Sequence, residues 1–349
     1  MSNTKSENLK IEALQAKHLP MLASSEQTRR IGWMQIMLIK TWLSEAEGKL
    51  KGLIPKRQPK CLVALEGGDL IAIVVLQPNN RRGSCWSLSF PEFIKDPKQS
   101  TKLEASKSLL QAAIQTQKNV TQNWLIRLPS SETDQLSLSR EIGFQPLKIM
   151  KSWECGEHPD PDCLESNKLP LNVSCQPLSR SNGQVLWRLK NRAESPQYRD
   201  IVDNQWMDLI DRNEPENLIL LTKNQDEYIA LLGLITPICS EELLSLEIIR
   251  DIAWDSRLIK SIPYLLNKLI VSWPKISIET LASDIHTNNI LEELNWKEKG
   301  ESVILGRTLW KRKANKNLVL KGNTLEAIFG GLKPNQPPLP SPFLFSKIK

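Results

Sequence analysis

The segment Cys61–Pro78 reads CLVALEGGDLIAIVVLQP, and the segment Leu218–Pro237 reads LILLTKNQDEYIALLGLITP. Each consists of an apolar strand, a short polar turn and a second apolar strand, which is the pattern of a β-hairpin. A strand without polar alternation is typical of the centre of a sheet that is covered on both faces. Both second strands end at a proline, which cannot donate to a strand ladder. The two segments predict equivalent central hairpins in two halves of the chain.

Matching blocks surround both hairpins in the same order. Upstream, Leu9–Leu22 and Leu171–Leu186 each combine a short strand with the start of a polar helix. Downstream, each half continues with a strand, a long helix, a strand, a short helix and a closing strand that ends at Trp153 or Trp310. Such repetition indicates duplication of one folding unit. We predict an α/β (α+β) fold with an N-terminal domain at 1–154, a linker at 155–170, a C-terminal domain at 171–313 and a tail at 314–349.

Length and composition favour a soluble protein of two domains. The chain has 349 residues, of which 40% are hydrophobic and 24% are charged, whereas single cores usually stop growing near roughly 250 residues. The polar start MSNTKSENLK is not a secretory signal, and the apolar stretches are shorter than the roughly 20 residues of a membrane span. We expect a cytoplasmic protein without membrane association, whose six scattered cysteines are free thiols.

The net charge of +7 gathers partly at Lys51–Lys60 and Arg307–Lys321. A basic surface attracts polyanions such as nucleic acid, acidic proteins or coenzyme phosphates. A solubilising surface explains these clusters more simply. Because aromatic and basic residues do not alternate as they do in single-strand binding platforms, the sequence does not favour a nucleic-acid partner.

Two matching segments end a short helix and begin a closing strand. They read REIGFQPLKIMKSW (Arg140–Trp153) and EELNWKEKGESVILGRTLW (Glu292–Trp310). Gly143 and Asn295 stand at the helix caps, where a left-handed residue is needed and glycine or asparagine is preferred. Together with the element order, these segments resemble the GNAT superfamily of N-acetyltransferases over about 9–155 and 171–312. The resemblance implies two tandem acyl-CoA N-acyltransferase-like domains, each a mixed, largely antiparallel sheet flanked by helices.

The resemblance also implies that acetyl-CoA lies between the parted central strands of a half. The family holds the coenzyme pyrophosphate with a (Gln/Arg)-x-x-Gly-x-(Gly/Ala) loop, where glycine lets backbone N–H groups approach the phosphate at the start of the long helix. The corresponding candidates for cofactor binding are Ser100, Lys102 and Ala105 in the first copy and Arg257, Lys260 and Ser261 in the second. Both loops lack the close-approach glycine, which is replaced by Leu103 in the first copy.

An acetyltransferase also needs an amine acceptor, here a small molecule or a protein, and groups that move protons. The family's frequent general-acid tyrosine is replaced by Ser139 and Leu291, neither of which protonates a thiolate as a phenol does. Glu92 and Glu247 lie on or just past central strands, and Glu247 is our candidate base. Its pKa would be raised if the side chain faced inward, but we expect it to point to solvent.

The sequence leaves two classes of function open. The first is an acetyl-CoA-dependent N-acetyltransferase with one active half. The second is a catalytically silent tandem module that binds a protein or nucleic acid. The segment PNQPPLPSPF (Pro334–Phe343) is typical of tails that dock on aromatic grooves of a partner, although it could also pack on the chain itself or stay disordered. We expect no metal site, because Cys155, His158 and Cys163 lack a tidy second ligand pair.

The short linker also predicts how the halves meet. Neighbours joined by so few residues stay in contact through their high effective concentration. Continuing one sheet across the junction would cover strand edges that are otherwise exposed. We therefore predict one compact body in which the closing strands before Trp153 and Trp310 form the junction.

Overall fold

The structure is a computed structural model that describes residues 9–23, 59–98, 100–116, 121–156, 168–212, 214–224, 227–238, 245–273 and 275–309. All of these residues belong to one compact unit. The expectations for the Pro-rich tail and for His158 and Cys163 lie outside the described residues.

The N-terminal half contributes seven described strands and three described α-helices. The strands are β1 (Leu9–Ala13), β2 (Lys60–Glu66), β3 (Asp69–Pro78), β4 (Cys85–Leu88), β5 (Glu92–Phe93), β6 (Asn123–Pro129) and β7 (Gln145–Cys155). The helices are α1 (Leu19–Ala23), which follows a 3₁₀ turn at Ala16–His18, α2 (Lys102–Thr116) and α3 (Thr133–Glu141).

The C-terminal half repeats this order. Its described strands are β8 (Val173–Pro177), β9 (Leu218–Asn224), β10 (Glu227–Ile235), β11 (Ser245–Arg250), β12 (Ser277–Leu281) and β13 (Trp296–Thr308). Its described helices are α4 (Gly183–Ala193), α5 (Pro196–Val202), α6 (Trp206–Asp211), α7 (Leu258–Ser272) and α8 (Ile285–Glu293). Among the described helices, none has the length and apolarity that crossing a membrane requires.

The local signals in the sequence are confirmed where the structure describes them. The turn between β2 and β3 has Gly67 and Gly68 at φ +59° and +88°, which is the pairing of positive angles that a two-residue hairpin turn needs. Gly143 after α3 and Asn295 after α8 have φ +99° and +59°. Both predicted left-handed helix caps are therefore present.

Thirteen described strands form one mixed sheet, in which the closing strands are exchanged between the halves. The order along the sheet is β1-β2-β3-β4-β6-β13-β7-β12-β11-β10-β9-β8, with β5 paired to β3. β13 pairs with β6 of the other half, β7 pairs with β12, and the two closing strands pair with each other. The predicted junction through the closing strands is confirmed, while the domain boundaries stay a prediction.

Helices cover both faces of this sheet. The long helices α2 and α7 pack on one face, against clusters that include Val303 of β13 and Trp153 of β7. Helix α4 packs on the opposite face of the C-terminal half. Helix α5 lies over the central strands, where Ile201 and Tyr198 pack with Met150 and Ile304. Because the central strands are covered on both faces, the near-continuous apolar character of β3 and β10 is explained.

Candidate functional site

The parallel strands β11 and β12 pair over a short stretch and then part. Their register runs from Ser245 opposite Ser277 to Glu247 opposite Glu279, and β11 continues from there to Arg250. A cavity of about 540 Å³ lies between the parted ends. Strand β7, which comes from the N-terminal half, lines it with Leu147–Ile149. We call this cavity the C-terminal cleft, and both halves are needed to form it.

Four buried charged side chains form a cluster at the cleft, which we call the ionic quartet: Lys148, Lys190, Glu194 and Glu247. The Nζ atom of Lys148 lies 2.6 Å from Oε1 of Glu247 and 3.7 Å from Oε1 of Glu194. The Nζ atom of Lys190 lies 2.6 Å from Oε1 of Glu194 and 4.0 Å from Oε2 of Glu247. Since buried charges are costly unless they are paired, this mutual pairing is what makes the cluster tolerable.

The quartet fixes the ionisation of Glu247. Burial alone would raise the pKa of this carboxyl, but attraction by Lys148 and Lys190 and a hydrogen bond from Lys148 lower it to about 2. Burial alone would lower the pKa of Lys148, but the charges around it, that of Glu247 foremost, hold it above its ordinary value. Both side chains therefore stay ionised at neutral pH.

Our two expectations for Glu247 are wrong. The residue is only 4% exposed, so its side chain does not point to solvent. Its pKa is lowered rather than raised, because lysines from β7 and α4 surround it in a way that sequence separation hides. A carboxylate with so low a pKa is a weak general base at neutral pH.

A second buried ion pair ties the halves together beside the quartet. Nη1 of Arg127 on β6 donates to both carboxylate oxygens of Glu279 on β12, at 2.8 Å each. Glu279 also accepts from the hydroxyl of Ser245 at 2.9 Å, and Nε of Arg127 donates to Ser302 at 2.9 Å. Both carboxylate oxygens thus share one nitrogen of Arg127, and such charge-assisted hydrogen bonds are stronger than those between neutral groups.

A third ion pair bridges the ends of the parted strands. Arg250 is the last residue of β11, and Asp284 is the N-cap residue of α8 just past β12. Two nitrogens of Arg250 pair with the carboxylate of Asp284, and the Nε to Oδ2 distance is 2.8 Å. The guanidinium of Arg250 lies 5.0 Å from the ring centroid of Trp254, and that ring stacks on His286 at 4.7 Å. The bridge holds the rim of the cleft between the loop after β11 and the start of α8.

Three solved structures are similar to this arrangement over most of the chain. A GCN5-related N-acetyltransferase from Sphaerobacter thermophilus superposes with a TM-score of 0.51 and 12% identity, covering 86% of this chain and 96% of that one. A glucosamine N-acetyltransferase region of a fungal multi-domain GH3 β-N-acetylglucosaminidase gives 0.51 and 10%, covering 85% and 38%. A Drosophila protein gives 0.50 and 11%, covering 86% and 98%.

The chain has the GNAT fold. The predicted resemblance and the fold class, two tandem units of mixed, largely antiparallel sheet flanked by helices, are confirmed. No protein-family model matches the chain, and no curated protein sequence does. At such low identities the likeness concerns the fold, so the chemistry has to be judged from the GNAT-fold site itself.

In the C-terminal half, a carboxylate of the chain binds the first backbone N–H of the loop that opens α7 of this GNAT fold. Asp255 accepts the backbone N–H of Arg257 at 2.9 Å and pairs with its guanidinium, with Nη2 to Oδ2 at 2.7 Å. These bonds lower the pKa of Asp255 and raise that of Arg257. Ser261 is buried and donates to the carbonyl of Arg257, while Lys260 is exposed to solvent.

The N-terminal half shows the same substitution before its long helix. The carboxylate of Glu66 accepts the backbone N–H and the hydroxyl of Ser100, at 3.0 Å each, and the backbone N–H of Lys98. Lys102 pairs with Asp96 at 2.7 Å, and Ala105 is fully buried in the core. Asp255 and Glu66 thus both bind N–H groups that precede a long helix, and we call them the internal carboxylates.

Lys148, Lys190 and Glu194 at the cleft were not predicted from the sequence, whereas three residues that the sequence singled out, Ser139, Leu291 and Glu92, lie outside the cleft. Ser139 and Leu291 are fully buried, and Glu92 lies on β5 opposite Ile73 of β3, away from the cleft. The signal for the missed cluster was Lys190, which shares the buried side of α4 with Leu186 and Leu189 and precedes Glu194 by one turn. Within the described part of the chain, no group of three or more His, Cys, Asp or Glu side chains is placed to hold a metal ion.

Proposed function

We propose that the protein is a GNAT-fold binding module whose C-terminal cleft holds a small molecule, and that neither half takes acetyl groups from coenzyme A by the family's route. The observation that carries this proposal is the pair of internal carboxylates. Asp255 and Glu66 bind backbone N–H groups where the resemblance implies the coenzyme pyrophosphate. A phosphate would have to displace a carboxylate and then remain beside its charge, which opposes binding.

The proton-transfer groups support the same proposal. At the two positions of the family's tyrosine the chain has a buried serine and a buried leucine, Ser139 and Leu291. Glu247 is held as a carboxylate by two lysines and has little tendency to take a proton from an amine. The chain therefore keeps the GNAT fold without the groups that acetyl transfer uses.

The C-terminal cleft nevertheless has the properties of a ligand site. Its volume of about 540 Å³ falls in the usual range for small-molecule pockets, roughly 300 to 1,000 Å³. Apolar side chains such as Leu147, Ile248 and Leu281 line it together with the converging charges of Lys148 and Glu247. A mainly apolar wall with a few placed polar groups is the common composition of such pockets.

A thermal-shift screen of small molecules tests the proposal. We expect ligands that raise the Tm of the wild-type protein but not that of Ala282→Leu, a variant in which a larger side chain fills the cleft. Acetyl-CoA at millimolar concentration should raise neither. A Tm increase of the wild type with acetyl-CoA, or a screen in which every hit also stabilises Ala282→Leu, would contradict the proposal.

A second candidate is N-acetylation of an amine in the C-terminal half, favoured by the parting of β11 and β12. In this reading Glu247 accepts the amine proton, and Arg257 leaves Asp255 to meet the coenzyme phosphates with Lys260. Release of free thiol from acetyl-CoA, measured over a panel of amines, decides between the two. Amine-dependent thiol release that is lost in Glu247→Gln would support the enzyme and refute the silent module.

A protein partner reached through the Pro-rich tail and a cytoplasmic location stay predictions. A pull-down that compares the full chain with a chain ending at Lys321 tests the tail. If both recover the same partners, the tail has no role in docking.

A further inference from the structure

Each charged residue that lines the C-terminal cleft is paired with a residue of opposite charge. Lys148, Glu194 and Glu247 line the cleft, and Lys190, which is outside the lining, pairs with Glu194 and balances the second glutamate. At the rim, Arg250 pairs with Asp284, and Asp251 pairs with Arg192 at 2.8 Å. A ligand with a net charge would bring an unbalanced charge into a buried site, which is costly. The balance therefore selects against simple cations and simple anions.

Two of these ions, Lys148 and Glu247, line the cleft and make fewer side-chain hydrogen bonds than they can. Among the described residues, Nζ of Lys148 makes one side-chain hydrogen bond, to Oε1 of Glu247, although an ammonium group can donate three. Its distance of 3.7 Å to Glu194 is an ion-pair distance and too long for a hydrogen bond. Oε2 of Glu247 lies 4.0 Å from Lys190, which is again too long. A buried donor and a buried acceptor thus stand side by side.

We infer that the cleft binds a zwitterion, an α-amino acid with an apolar side chain, whose carboxylate meets Lys148 and whose ammonium meets Glu247 and Glu194. This inference rests on the proposed function of the cleft as a small-molecule site. Adjacent fixed charges of opposite sign form a dipole, which attracts both ends of a dipolar ligand and only one end of an ion. A neutral polyol would pair hydroxyls with these ions but would not match their formal charges.

The remaining lining explains the choice of side chain. Away from the charged groups, three strands contribute apolar residues to the cleft wall, among them Leu147, Ile249 and Leu281, and the remaining lining includes Ser195, Tyr198 and Ser283. An apolar side chain gains free energy when it is buried against the aliphatic residues, whereas a polar group placed against them would lose its water without finding a partner there. Leucine, methionine and phenylalanine are therefore the probes that fit best.

The test uses matched sets of probes that differ only in charge. L-leucine, L-methionine and L-phenylalanine are compared with their amides, which are cations, and with their N-acetyl derivatives, which are anions, by calorimetric titration of the full-length protein. We expect at least one free amino acid to bind, and its amide and N-acetyl forms to bind about tenfold more weakly or worse. Absence of binding by all three amino acids at millimolar concentration, or equal binding of a charged form, overturns the inference.

A variant makes the test specific to the quartet. Glu247→Gln leaves an excess positive charge, so the preference should move from the free amino acid to its N-acetyl form by about tenfold. The control Lys151→Met removes a lysine on the same strand that pairs with Glu298 away from the cleft, and it should leave the preference unchanged. An unchanged preference in folded Glu247→Gln counts against the inference, and the wild-type series decides alone if this variant does not fold.

Binding of acetyl-CoA would refute the proposed function itself, whereas a missing zwitterion preference without acetyl-CoA binding refutes only this inference.

Discussion

Replacing Lys148 by methionine should destabilise the protein through the glutamate that it leaves behind. The side chains of Lys148 and Glu247 are only 9% and 6% exposed, and their charged atoms are 2.6 Å apart. Removing one partner of a buried ion pair typically costs about 3–5 kcal/mol, because the other charge stays buried without compensation.

The structure sets the expected value near the low end of that range. Lys190 still lies 4.0 Å from Glu247, and two unit charges at this distance attract by about 4 kcal/mol at an effective dielectric constant of 20. Lys190 therefore compensates part of the charge, although it also serves Glu194. We expect Lys148→Met to lower the free energy of unfolding by about 3 kcal/mol.

A double variant separates the buried charge from lost packing. In Lys148→Met/Glu247→Leu, Lys190 and Glu194 still form a pair at 2.6 Å, so no buried charge remains uncompensated. Replacing a buried pair by apolar residues is often neutral or stabilising, and the double variant should lie within about 1 kcal/mol of the wild type. The control Lys151→Met, in a more exposed pair, should cost less than about 1 kcal/mol.

Urea unfolding at neutral pH, followed by tryptophan fluorescence, measures these differences from the midpoint and slope. The double variant should be more stable than Lys148→Met by about 2 kcal/mol. Destabilisation by the unpaired glutamate is refuted if Lys148→Met costs less than about 1 kcal/mol, or if the double variant is no more stable than the single one.

Three further predictions concern pH, a helix cap and the surface between the halves. The folded-state pKa of Glu247 is about 2, against an ordinary value of 4.5. Its ionisation therefore stabilises the fold fully above pH 4.5, and this contribution is lost as the pH falls to about 2. When stability is measured at decreasing pH, Glu247→Gln should lose less than the wild type, and equal losses would contradict this. Gly143→Ala should cost about 1–2 kcal/mol in urea unfolding because φ is +99°, and not more, because the added methyl group meets no close contact. Asn295→Gly should be neutral. A neutral Gly143→Ala would show that the backbone relaxes. The exposed ion pair of Arg81 with Asp211 should contribute less than about 1 kcal/mol, and a larger effect of Arg81→Ala on the same curve would show that this contact matters more than its exposure implies.

The fold was predictable because its signals are local. The hairpin at Gly67 and Gly68, the caps at Gly143 and Asn295, and the apolar central strands each follow from a few neighbouring residues. Their repetition in order predicted two copies of one unit and a junction at the closing strands. The exchange itself, with β13 beside β6 and β7 beside β12, has no local signal, because either closing strand could pair with either half.

The site could not be predicted for the same reason. Lys148 lies 99 positions before Glu247 in the sequence, and only the strand exchange brings it into the C-terminal cleft. The burial and pKa of Glu247 depend on that contact. The expectations for this residue were therefore wrong, although the strand that contains it was predicted correctly. The internal carboxylates pose a similar problem, since Glu66 reaches Ser100 across 34 positions. Of the two internal carboxylates, Asp255 was the easier one to predict, because it lies only two positions before its partner Arg257.

We propose that Asp255 and Glu66 stand where the coenzyme phosphates would bind and so prevent their binding. Calorimetric titration of the wild-type protein with acetyl-CoA tests this most directly. Asp255→Asn, which removes one charge and keeps the size of the side chain, is the matched variant. We expect no saturable binding by the wild type at millimolar acetyl-CoA. A saturable wild-type isotherm with a micromolar Kd, unchanged in Asp255→Asn, would contradict it.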